Sequence, residues 1–154
     1  MPFNKVFKGI DFKYEAIEGL SADVIDQVPH AYQAGLQTEI LYKQIREMKQ
    51  GGTFVLAPPP NPFRCPPGPY ERASMIADYF KRNNPTAKII ILDAKSKFSK
   101  QALFQKGWTD LYGDMIHWVG SQDGGTVTKV DVATKTVYSD YETIKADVVN
   151  IIPP

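Results

Sequence analysis

Three short apolar runs separated by two amphipathic stretches restrict this chain to few folds. TFVLAP (residues 53–58), KIIILD (88–93) and MIHWVG (115–120) are rich in β-branched or aromatic residues and read as buried strands. Between them, PYERASMIADYFKRNN (69–84) and FSKQALFQKGW (98–108) read as helices. The first opens on Pro69, where a first-turn proline is tolerated, with Glu71 near the positive end of the dipole and Lys81 and Arg82 near the negative end. Alternating strands and helices, with strands apolar throughout, call for a parallel sheet wound by right-handed crossovers. The expected class is α/β.

The flanks add detail. In LQTEILYKQIREMKQ (36–50), Leu36, Ile40, Leu41, Ile45 and Met48 are expected to form one buried helical stripe that Gly51 and Gly52 end. SADVIDQV (21–28) opens on a Ser cap and is expected to be a short helix, followed by a loop bracketed by Pro29 and Gly35. Beyond Gly120, TVTKVDV and TVYS alternate apolar and polar residues around ATK, which marks a hairpin or small meander. DYETIKA is expected to be a loop, and DVVNIIP a strand returning to the parallel sheet. This is the layout of a Rossmann-like, three-layer domain of the FAD/NAD(P)-binding type, with a β-meander on the sheet. Residues 36–154 are assigned to that domain, and residues 1–35 to a less regular connecting segment.

Composition removes several function classes. With 154 residues, 43% hydrophobic and 23% charged, the chain suits one globular unit. A formal charge of +1 without a basic stripe gives no footprint for nucleic acid, and no apolar run is long enough to span a bilayer. Residues 1–9 lack the apolar core of a signal peptide, and one cysteine makes no internal disulfide. His30 and His117 lack metal-ligand spacing, and Ser74, Ser99 and Ser121 lack a nucleophile elbow. Trp108, Trp118, Tyr70 and Tyr79 are expected to be core or interface aromatics, and Lys95, Lys97 and Lys100 solvated surface.

The turn after the first strand of such a fold normally cradles a pyrophosphate on glycines and free N–H groups. Here seven of the twelve residues from Pro58 to Pro69 are proline, and Gly68 is the only glycine. Prolines lack the N–H that the cradle needs, so the dinucleotide site reads as filled by a rigid loop. Asp93 falls where a ribose-binding acid would, although an Asp at that position also serves as a cap. The loop holds the lone cysteine, Cys65, at the carboxyl end of a strand, ahead of a helix start and beside Arg64, which favours a thiolate. A reactive thiol and an inert one remain equally open on these grounds, as do proton transfer and helix-dipole stabilisation for Glu71.

GGTFVLAPPPNPFRCPPGPYERAS, KIIILDAKSKFSKQALFQKGW and ADVVNIIPP resemble the flavoprotein subunit of flavocytochrome c sulfide dehydrogenase, a relative of sulfide:quinone oxidoreductases. The resemblance runs from about Gly9 to Pro154, and CPPGPYERAS is its most specific segment. It implies an NAD-like domain inserted between two halves of an FAD domain, with residues 1–35 leading in and ADVVNIIPP crossing back; MPFNKVFKG does not match the family's preceding strand. It implies that Cys65 is one of two redox-active cysteines beside the flavin, its partner lying beyond Pro154, and that Glu71 handles protons there. FAD belongs to the full-length protein and is not expected on this fragment, which lacks the flavin-binding Gly motif and the flavin-attachment cysteine. A c-type cytochrome subunit as electron acceptor, sulfide as substrate and a bacterial periplasmic location follow from the same resemblance. An NAD(P)H-dependent flavin oxidoreductase, a sulfide:quinone oxidoreductase or a non-catalytic docking module are the alternatives.

Overall fold

The computed structural model describes residues 11–154. Four strands, β1 (Thr53–Ala57), β2 (Lys88–Leu92), β3 (Ile116–Val119) and β7 (Val148–Ile151), form a sheet in the order β3-β2-β1-β7. Every neighbouring pair in it is parallel, with Val55 opposite Ile90 and Val149. Three helices accompany it: α1 (Leu36–Glu47), α2 (Gly68–Asn83) and α3 (Gln101–Tyr112). A separate antiparallel meander follows, β4 (Val127–Asp131), β5 (Thr136–Ser139) and β6 (Thr143–Lys145).

The period-two geometry of a strand explains why β1 is apolar at every core position. Phe54 and Leu56 point to one face and pack with Leu41, Ala73, Ala77, Phe80 and Trp108 of the helices. Val55 and Ala57 point to the other and pack with Val127, Val130 and Val137 of the meander, together with Ile17, Leu20 and Val28. Helices, parallel sheet and meander therefore form the three layers of a Rossmann-like domain.

Three expectations need correction. Leu36 is not part of the buried stripe: as the first residue of α1 it stands before the turns that pack on the core and is exposed, whereas Leu41 and Met48 are buried. Residues 21–28 form successive turns rather than a helix, with Val24 N–H donating to the Ser21 carbonyl and Gln27 N–H to the Val24 carbonyl. Pro29 drives the preceding residue away from helical geometry, and a stretch this short cannot offset the cost of helix nucleation alone. DYETIKA is not wholly a loop: its β-branched Thr143 and Ile144 pair with Tyr138 and Val137 as strand β6. The MPFNKVFKG segment lies outside the described residues.

The chain just before α1 is tied to the sheet through polar groups. Arg72 on α2 donates to the carbonyls of His30 (2.7 Å) and Ala31 (2.6 Å) and to Asn150 Oδ1 on β7 (2.9 Å). Fully buried Asn150 donates in turn to the carbonyls of Pro29 and His30. His30 is buried as well; its Nδ1 lies 3.0 Å from Tyr32 N–H, and its Nε2 lies 3.1 Å from Tyr14 Oη and 3.2 Å from Gln37 Nε2. These bonds hold Tyr32 beside the start of α2.

Burial, reinforced by the Arg72 cation, lowers the His30 pKa from 6.5 to about 4. Between those values the unfolded chain binds more protons than the folded one, so stability falls as pH drops through that window. Urea denaturation is expected to lose about 3 kcal/mol from pH 7 to 4 through this group, and NMR titration of the His30 ring should show its midpoint at about 4.

Candidate functional site at the carboxyl edge of the parallel sheet

The loop from β1 to α2, residues 58–67, lies at the carboxyl end of the central strands, where open α/β sheets take their ligands. Its strand and helix are fixed by the core, since Leu56 before it and Tyr70 after it have no solvent exposure. Cys65 is exposed and has a left-handed backbone, φ 56°, a conformation that a non-glycine residue adopts only when its surroundings hold it. Two donors do so: the Cys65 carbonyl accepts from Gly68 N–H at 2.8 Å and from the Tyr32 hydroxyl at 3.1 Å.

Gly68 owes its identity to close approach. A Cβ there would stand 2.6 Å from Tyr32 Oη and 3.1 Å from Cys65 Sγ, so phenol and thiol crowd the same point above the first residue of α2. The thiol consequently lies at the amino end of a 16-residue helix, where the backbone dipole is positive. Glu71 occupies the first turn of that helix with its carboxylate exposed, and Arg64 is exposed; neither side chain makes a hydrogen bond or ion pair among the described residues. Burial raises the Tyr32 pKa to about 12, with Cys65 and Glu71 adding to the effect and Arg72 opposing it. Tyr32 therefore remains an O–H donor throughout the range in which a thiol titrates.

Asp93 does more than cap. Without solvent exposure, it accepts from Tyr70 Oη at 2.5 Å, Trp118 Nε1 at 3.0 Å and Lys95 N–H at 3.0 Å, and pairs with Lys95 Nζ at 2.8 Å. Its carboxylate is committed within the fold and has no lone pair turned outward for a ribose. Burial and the bond to Asp93 both raise the Tyr70 pKa, so the phenol stays a donor.

Lys95 is a correction to the expected solvated cluster, being 7% exposed. Besides Asp93 it donates to the Pro59 carbonyl at 2.7 Å and lies 4.6 Å from the centre of the Phe63 ring. Burial lowers its pKa, and the bond to Asp93 opposes that shift without cancelling it. Trp108 and Tyr70 join the core as expected, whereas His117 is an exposed residue of β3.

Cys65 and Glu71 are thus brought to one helix start. Tyr32, Arg72 and Lys95 are the site residues that sequence reasoning missed. Arg72 and Lys95 carried a signal, a charged residue on an otherwise apolar helix face and a lysine two places after a strand-ending Asp; Tyr32 carried none. Among the described residues no group of three His, Cys, Asp or Glu could hold a metal ion, and no helix is long and apolar enough to cross a membrane.

Residues 38–153 match the family model described as sulfide dehydrogenase (flavocytochrome c) flavoprotein chain, central. The matched span begins within α1 and includes the whole β1–α2 loop and the rest of the domain.

Asp93→Asn is expected to cost about 3 kcal/mol, because it strands the Lys95 cation in the interior, and Lys95→Met to cost a similar amount. Made together they should cost clearly less than the two single changes added, since neither charge is left alone; a urea double-mutant cycle checks this, and strict additivity would contradict the pairing.

Proposed function

The chain belongs to the flavoprotein family of flavocytochrome c sulfide dehydrogenase, and from that premise we propose that it is the central domain of a sulfide-oxidising flavoenzyme in which Cys65 is the sulfur-accepting thiol. The observation that carries this reading is the placement of an exposed cysteine, in a held left-handed conformation, at the amino end of α2 and the carboxyl edge of the sheet. A buried structural cysteine would need none of those features.

In the proposed chemistry Cys65 is oxidised, as a disulfide with a cysteine of the flavin domain beyond Pro154. Hydrosulfide attacks the Cys65 sulfur, the S–S bond breaks, and the partner leaves as thiolate, so Cys65 becomes a persulfide. Glu71, exposed on the first turn of the same helix, takes the proton released as H₂S becomes hydrosulfide. The helix start stabilises negative charge arriving at sulfur.

FAD is the family's cofactor, and the residues of this chain do not fit it. The β1–α2 turn, where a dinucleotide would lie, lacks the necessary N–H groups, and Asp93 is already taken. The chemistry assigned to this chain therefore stops at sulfur, with the flavin held by the other domain. The same two features argue against an NAD(P)H-dependent reductase. A c-type cytochrome subunit as electron acceptor and a bacterial periplasmic setting complete the proposal, with residues 1–35 as the lead-in from the flavin domain.

Anaerobic reduction of the flavin in the full-length protein tests this. Sulfide is expected to bleach the flavin of the wild type and to fail, by at least about a hundred-fold in rate, with Cys65→Ser, while NADH fails with both. Bleaching by NADH alone would favour the reductase reading, and full turnover by Cys65→Ser would favour a docking module.

A further inference from the structure

We propose that Lys95 and Tyr32 form a two-point clamp that positions the Cys65 loop by holding two of its backbone carbonyls. The proposal rests on reading Cys65 as the working thiol.

Only Asn61, Phe63, Arg64 and Cys65 carry a backbone N–H in residues 58–67, the other positions being proline. None of these N–H groups makes a hydrogen bond among the described residues. With its backbone N–H groups sparse and unpaired, the loop is tied to its surroundings through its carbonyls. Two side chains from outside reach them. Lys95 Nζ takes the Pro59 carbonyl at 2.7 Å near the start of the loop, and Tyr32 Oη takes the Cys65 carbonyl at 3.1 Å near its end.

Each clamp residue is itself anchored in the core of the domain. Lys95 is paired with Asp93, which Tyr70 and Trp118 also bind, so the lysine is oriented by groups just after β2, on α2 and on β3. Tyr32 is oriented by its N–H bond to His30 and by Arg72, whose guanidinium lies 5.5 Å from the centre of the Tyr32 ring. The consequence for chemistry is geometric: the thiol keeps a fixed position while remaining open to a small substrate, as sulfur transfer to a second domain requires. Asp93, at the position of a ribose-binding acid, serves here to orient Lys95.

Exposed Arg64 gives a direct readout, because the Arg64–Cys65 bond is a trypsin site inside the loop and becomes cleavable when the loop lifts. Limited trypsinolysis of this chain is compared for wild type, Tyr32→Phe, Lys95→Arg and the charge-neutral pair Lys95→Met with Asp93→Asn, using cleavage after exposed Lys106 on α3 as the internal control. Tyr32→Phe and the paired change are expected to speed cleavage at Arg64 about five-fold, the worth of one hydrogen bond in an opening equilibrium, with Lys106 unaffected. Lys95→Arg, which can still bridge Asp93 and Pro59, should stay near the wild-type rate. Wild-type rates at Arg64 in both weakened variants, or increases that only track those at Lys106, would overturn the clamp. Should the paired variant not fold, Tyr32→Phe alone decides between these outcomes, since it removes a single oxygen.

In the full-length flavoprotein the clamp variants should lower kcat on sulfide and leave KM unchanged. The failure of this proposal is separable from that of the thiol reading: turnover by Cys65→Ser would remove the thiol's role while leaving the tryptic result standing.

Discussion

A carboxylate with no access to water must find its hydrogen bonds inside the protein, and Asp93 does so by drawing three layers of sequence together. Tyr70 comes from α2, Trp118 from β3 and Lys95 from the turn after β2. With only one of these partners the buried charge would be untenable; with all of them it fixes the relative position of two strands, a helix and the loop that Lys95 holds. The network converts a position that could face a ligand into an internal anchor.

The proline loop makes sense beside that anchor. A glycine-rich turn offers donors to a phosphate and flexibility to approach it. This turn offers carbonyls and stiffness, which suit it to carrying a side chain at a set point. The thiol, the phenol of Tyr32 and the helix start converge above Gly68, whose missing Cβ leaves room for them. Fold and chemistry are thus connected through a backbone that has exchanged donor groups for rigidity.

Much of this was legible in the sequence, for physical reasons that differ by element. The parallel strands declared themselves because both faces are buried, so no polar alternation diluted the apolar runs. Helix α2 was bounded by a first-turn proline and a cationic last turn, and the structure places it from Gly68 to Asn83. The segment 21–28 was misread because a Ser cap and an apolar period say nothing of whether so short a stretch can nucleate. Strand β6 is not legible locally, because what makes it a strand is the pairing of Thr143 and Ile144 with β5, which lies outside any short window. In the site, Cys65 and Glu71 stood out through their unusual neighbours. Tyr32 did not, for its role depends on Arg72 and Asn150 bringing residues far apart in the chain together. Lys95 shares the local composition of its exposed neighbours, and only its pairing with buried Asp93 draws it inward.

The central claim is that this domain keeps the frame of a dinucleotide-binding fold while its own residues occupy the dinucleotide's place. NMR titration of the chain with NADH, following the amides of Cys65, Gly68, Asp93 and Lys95, tests it most directly. The account predicts no saturable shift at these positions up to about millimolar ligand, corresponding to less than about 4 kcal/mol of binding. Saturable shifts confined to those amides at micromolar concentration would contradict it.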